Sequence, residues 1–334
     1  MWSSIALLGL LIFTCGCRKE DDSELRRQAL KDYQENYIGS HISDPGWTGH
    51  VSNCSHGTIT EFSRAKVIQR LNYFRRMVGL SDDLIENLSQ HDACQQASLM
   101  FKAQDDLSHH PTPDWACYTP EGAAAAATSN IAWGTHMAGE WSVHTTYGIT
   151  GFIEEPGDNN TQVGHRAWFF YPGLHSVGIG STNTTSCIQW KDNYISGAPA
   201  PEFIAYPPDG YIPNALVFPR WSFCLPDNNA DYQNVSVTMR DEKGNQIMLT
   251  VENKPKSTPG RIPFPHLVWK PELDLSKLRK DRKFNVTISN ITGVPVSKYS
   301  YTVIVFPVIT LGKRITPDYT DDRLFMSWWR TAGQ

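Results

Sequence analysis

The sequence predicts an α+β protein, with a mixed unit over residues 46–206 followed by a small all-β unit over residues 207–310. Three observations carry this. Apolar residues recur at helical spacing between Thr60 and Gln104. Short runs from Val235 to Phe306 alternate apolar with polar residues. Between them lies a proline-rich junction, Ala198-Pro199-Ala200-Pro201 and then Tyr206-Pro207-Pro208-Asp209-Gly210.

Residues 1–17 read as an export signal. Ile5 to Phe13 is an apolar run too short to span a bilayer as a helix, although no Lys or Arg precedes it. Thr14-Cys15-Gly16-Cys17 places a small residue directly before a cysteine, as in the lipobox of bacterial lipoproteins. Cleavage there makes Cys17 the lipidated first residue and tethers the chain to the outer membrane or cell surface. The alternative is an ordinary secretory signal. Arg18-Lys19-Glu20-Asp21-Asp22 resembles a lipoprotein surface-export tag and opens a polar tether over residues 18–45, with a short helix over Glu24 to Tyr37.

The first folded helix runs over Thr60 to Val78, where Val67, Leu71, Phe74 and Val78 share one face and Gly79 supplies the stop. A second runs from Asp83 to Gln104 and lines up Leu84, Leu88, Ala93, Ala97 and Met100 or Phe101. Leu107 to Pro120 is a loop, and Ala123 to Ala127 has high helix propensity. A short helical segment over Gly148 to Pro156 precedes the turn Gly157-Asp158-Asn159-Asn160. Strands are expected at His165–Tyr171, Ser176–Gly180 and Ser186–Trp190. Beyond the junction, strands are expected at Val235–Met239, Gln246–Val251, Phe284–Ile288 and Tyr299–Phe306, with Asp241-Glu242-Lys243-Gly244 as a turn. Strands of this length and spacing fit an immunoglobulin-like sandwich. Residues 311–334 carry no assignable pattern.

Charged residues make up 19% of the chain and the formal net charge is −4, so nothing favours nucleic acid as a partner. Setting Cys15 and Cys17 aside, five of the seven cysteines remain: Cys54, Cys94, Cys117, Cys187 and Cys224. Export permits disulfides among them, and an odd number leaves at least one unpaired within the chain. Sequons at Asn53, Asn87, Asn159, Asn183, Asn234, Asn285 and Asn290 are incidental if the lipobox reading holds.

Three segments carry a family resemblance. The first is Val67 to Leu80, with Asn72 and Arg75 before Gly79-Leu80. The second is Gln95-Gln96-Ala97 followed by Leu107-Ser108-His109. The third is Gly151-Phe152-Ile153-Glu154-Glu155 followed by Val163-Gly164-His165-Arg166-Ala167-Trp168. In this order they resemble the CAP superfamily (cysteine-rich secretory proteins, antigen 5 and pathogenesis-related 1) in its bacterial form. The resemblance implies an α-β-α sandwich and a cleft bearing two histidines, His109 and His165, with the acid Glu155. A further family acid stands in a Glu-Asn-Ile segment that reads Ser129-Asn130-Ile131 here. His110, next to His109, competes with it for the site position.

Two neutral imidazoles suit a zinc-like ion. Glu155 either completes the coordination or holds one ring's other N–H. The same groups, with Ser129 as a nucleophile, give the alternative reading of a secreted protease or esterase. HExxH, GxSxG, Walker and GxGxxG motifs are all missing from the sequence. The expectation is therefore a surface binding module for a lipid, metal or protein ligand, needing no cofactor beyond a weakly held divalent ion.

Overall fold

The computed structural model describes residues 22–133, 145–308 and 325–326. The signal segment with Cys15 and the lipidation candidate Cys17, and all of the tail 311–334 except Phe325–Met326, lie outside the described residues.

Six α-helices occur among the described residues: α1 Asp22–Asp32, α2 Glu61–Met77, α3 His91–Gln104, α4 Pro120–Ala126, α5 Thr145–Glu154 and α6 Gly164–Phe169. The strands are β1 Ile85–Glu86, β2 Ser129–Trp133, β3 Ser176–Ser181, β4 Thr185–Gln189, β5 Ile204–Tyr206, β6 Gly210–Pro213, β7 Trp221–Cys224, β8 Ser236–Asp241, β9 Gln246–Ile247, β10 Leu249–Asn253, β11 Leu267–Pro271, β12 Arg282–Ser289, β13 Lys298–Phe306 and β14 Phe325–Met326. They form three sheets, ordered β1-β3-β4-β2-β14, β10-β11-β7-β5 and β6-β13-β12-β8-β9. The protein is α+β.

Local chemistry sets the ends of α2. The Thr60 hydroxyl accepts from the Ser63 amide at the start. At the end Gly79 takes φ +78°, its N–H bonds to Arg76 O and that of Leu80 to Arg75 O, the paired bonds of a Schellman stop. Val67, Leu71, Phe74 and Val78 are all buried, as their spacing predicts.

The second helix starts later than the sequence pattern suggests. Residues 83–90 form β1 and a 3₁₀ turn, and α3 begins at His91. Ile85 pairs in parallel with Ser176, and the Asn87 side chain accepts from the Ser89 amide to set the turn. Leu88, expected on the buried helix face, is 66% exposed.

α3 lies hard against the first sheet, since a Cβ on Gly180 would sit 2.1 Å from the Cys94 carbonyl carbon. Gly180 pairs with Cys187, and the Cys94 thiol lies against Cys187 on that face. The adjacent Ser186 points the other way, 2.7 Å from where a Cβ on Gly148 of α5 would be. Helices therefore cover both faces of this sheet.

His165–Tyr171, expected as a strand, contains α6 instead. All six α6 residues are buried, so neither the two-residue nor the 3.6-residue period is visible in the run.

The other two sheets face each other through aromatic side chains. Trp221 of β7 meets Phe284 of β12 edge-on, and Trp269 of β11 donates to the Met239 sulfur at 3.3 Å. The expected strand Gln246–Val251 is split. β9 pairs with β8 and β10 with β11, so the chain changes sheets at Met248.

Ile204–Tyr206 pairs with β7 although it precedes the 206/207 boundary. Tyr206 is fully buried, stacked on Phe218 and close to Phe74 and Phe170. Residues 22–40, read as tether, are helical and docked. Arg26 pairs with Asp281 at 2.9 Å and caps the Phe306 ring, while Asp32 binds Arg76 at 2.6 Å and Tyr33 stacks on Tyr37. Among the described residues no helix is long and apolar enough to cross a membrane.

Among the described residues one disulfide joins Cys54 to Cys117, with Cα atoms 5.1 Å apart and a sequence separation of 63. Cys94, Cys187 and Cys224 are unoxidised and buried. Closing a loop of this size restricts the unfolded chain by about 2–4 kcal/mol. Cys54→Ser with Cys117→Ser should lower the unfolding free energy by that amount in chemical denaturation. An unchanged midpoint would show that the bridge adds nothing.

Candidate functional site

The site forms where α5, α6 and the turn from α4 into β2 converge. α5 ends at Glu154, and Glu155 follows in the left-handed region with φ +58°, its N–H bonded to Gly151 O at 2.8 Å. Such backbone is rare for a non-glycine residue and costs of order 1 kcal/mol. It turns the carboxylate inward, where both oxygens are used. Oε2 lies 2.7 Å from His165 Nδ1 and Oε1 accepts from the Arg166 N–H at 2.8 Å. Glu155 is fully buried and His165 2% exposed. Val163, also left-handed at φ +49°, precedes α6 and sets the direction from which His165 enters.

Further groups hold this pair. The Asn130 amide donates to His165 O at 3.0 Å, the Phe152 ring lies 5.1 Å from the imidazole, and Arg220 donates to Glu155 O. Arg166 is fully buried, with Nε on Ile153 O at 2.7 Å, Nη1 on Ser222 Oγ at 2.9 Å and its guanidinium over the Tyr206 ring. Burial pulls Arg166 down to about 10, against the opposing pull of Glu155, so it stays cationic at neutral pH.

His109 is 6% exposed, and its Nδ1 lies 2.7 Å from the carbonyl of Ala126 at the end of α4. A carbonyl only accepts, so Nδ1 carries the proton and the lone pair of the neutral ring is on Nε2. The Glu155 carboxylate imposes the same tautomer on His165. The two histidines are anchored at Ala126 and Asn130, which the chain keeps within roughly 14 Å of each other. Of the adjacent imidazoles, His109 is the buried one, while His110 is exposed.

Sequence reasoning left two roles open for Glu155. In the structure Oε2 meets His165 Nδ1 and Oε1 accepts from the Arg166 N–H, the arrangement of a group that orients the ring. Ser129 is fully buried, but its single hydroxyl proton goes to Ala125 O at 2.6 Å, so it is not arranged as a nucleophile beside a histidine. Among the described residues no group of three His, Cys, Asp or Glu side chains is gathered to hold a metal. Sequence reasoning missed Arg166, Arg220 and the Ala126 carbonyl. Arg166 could have been noticed as a lone cation within the apolar run after His165, whereas nothing local marks Arg220.

Comparison of the chain with protein-family models, with curated proteins and with solved structures gives no match.

Proposed function

We propose that this chain is an exported, surface-anchored binding module of CAP type, tethered through Cys17, with a cleft that takes a divalent ion such as zinc loosely between His109 and His165. The observation that carries the reading is the common tautomer of the two rings. Ala126 O and Glu155 Oε2 each engage Nδ1, so in both neutral rings Nε2 is the nitrogen that carries no proton, the form in which imidazole ligates a metal. Helices on both faces of the first sheet support the α-β-α architecture of that family, and the two facing β sheets support an immunoglobulin-like partner unit. With two imidazoles as the protein ligands, water or a bound partner supplies the rest of the shell, so binding is weak and reversible. The hydrolase alternative draws no support from Ser129, whose hydroxyl is turned to a carbonyl.

Calorimetric titration of the chain without residues 1–17 should show saturable zinc binding. His109→Ala and His165→Ala should each weaken it by about tenfold or more, about 1.4 kcal/mol, while His110→Ala leaves it unchanged. Binding should also weaken in acid, because protonated imidazole has no lone pair to give. Equal affinity in the wild type and both variants would sink the reading.

A further inference from the structure

Away from the histidines, a cavity of about 240 Å³ opens beside Ala167 of α6, walled mainly by the segment that leads from β10 to β11. Its polar lining has one sign. Lys256 and Arg261 are cationic, and among the described residues no Asp or Glu contributes to the wall. Two further groups lack hydrogen-bond partners although their atoms are buried: Thr258 Oγ1 and His266 Nδ1. His266 is 2% exposed and lines the cavity. Its backbone carbonyl is already used by the Asn253 amide at 2.8 Å, so the unmet demand belongs to the ring.

Behind this wall sits Arg166, whose Nη2 is also buried without a partner and whose charge acts on His266. Burial and that charge hold His266 down to about 3, so the ring is neutral at ordinary pH. Phe264, with Pro255 and Pro265, gives the remaining wall an apolar surface. The volume equals about eight waters at roughly 30 Å³ each, small for a ligand pocket.

We propose that this cavity is a second binding site, independent of the His109–His165 cleft, for a small molecule that carries an oxyanion on a compact apolar body. Lys256 and Arg261 attract the anion, the His266 ring and Thr258 hydroxyl donate to it, and the apolar body lies against Phe264. Lysine meets an anion as a point charge and arginine as a fork, so the shared chemistry covers carboxylates and phosphate esters.

Benzoate, phenyl phosphate and the neutral isostere benzamide can be titrated into the purified full chain while the imidazole NMR signals are followed. At least one anion should bind saturably and move the His266 resonances while leaving those of His165 in place. Benzamide should bind about tenfold more weakly or worse. Tighter benzoate assigns a carboxylate ligand and tighter phenyl phosphate a phosphate ester. Lys256→Gln and Arg261→Gln lie at the rim and should each weaken binding about fivefold, and Thr258→Val should weaken it without removing charge. The proposal is overturned if neither anion saturates, if benzamide binds as well as the anions, or if Lys256→Gln and Arg261→Gln both bind like the wild type.

Discussion

Glu155→Ala should lower the unfolding free energy by about 3–5 kcal/mol, the usual penalty for stripping one partner from a buried charged set. The carboxylate is fully buried and accepts from both His165 and the Arg166 amide. Its charge also offsets that of Arg166, whose Nη2 is already without a partner. Removal leaves a buried guanidinium uncompensated and lets the His165 ring turn. Glu155→Gln keeps an acceptor for the Arg166 amide but loses the charge, so it should recover only part of the stability. If zinc binds as proposed, Glu155→Gln should also weaken it about 10- to 100-fold, as expected when the group behind a ligating histidine is lost. Denaturant midpoints and zinc titration on the same samples separate the two effects. A loss below about 1 kcal/mol for Glu155→Ala would mean that the pair contributes little.

A loss of similar size is expected for Arg75→Met. Arg75 is fully buried, and its guanidinium donates to Ser81 O at 2.8 Å, Phe169 O at 2.8 Å, Tyr171 O at 3.0 Å and Pro172 O at 3.5 Å. Burial draws it down to about 10, and the charge survives at neutral pH. One side chain thus ties the end of α2 to the loop that leaves α6. Methionine fills much of the volume and supplies no donor. Each abandoned carbonyl costs about 1–3 kcal/mol if water does not reach it, so a total of roughly 3–5 kcal/mol is expected, a large share of a typical domain's stability. Arg75→Lys should rescue little, because one ammonium cannot serve carbonyls spread across a planar fork. Indistinguishable unfolding curves for Arg75→Met and wild type would refute this role.

What could be read from the sequence follows the environment of each element. α2 was legible because one face is buried and the other wet, so Val67, Leu71, Phe74 and Val78 stand out by contrast. α6 and β7 were not, because every residue in them is buried and contrast is lost. The run Gln246–Val251 reads as one strand, yet Ile247, Met248 and Leu249 are consecutive apolar residues, and such a run does not reveal that the chain changes sheets at Met248. His109, His165 and Glu155 were singled out through a family resemblance. What orients them comes from elements distant in sequence, the Ala126 carbonyl, Asn130 and Arg220, and such long-range partners leave no local pattern.

β14 bears on how the molecule is made. Phe325 and Met326 pair antiparallel with Ala132 and Ile131, at the outer edge of the first sheet. The strand they complete is the one whose Asn130 holds His165 in place. A chain synthesised from its N-terminus must complete the entire β unit before this partner arrives. Until then β2 presents an open row of backbone donors and acceptors, the kind of edge on which chains pair with one another. The outer edge of β2 is therefore among the last parts of the first sheet to be covered, and the interval before closure is when the nascent chain most needs protection from its neighbours.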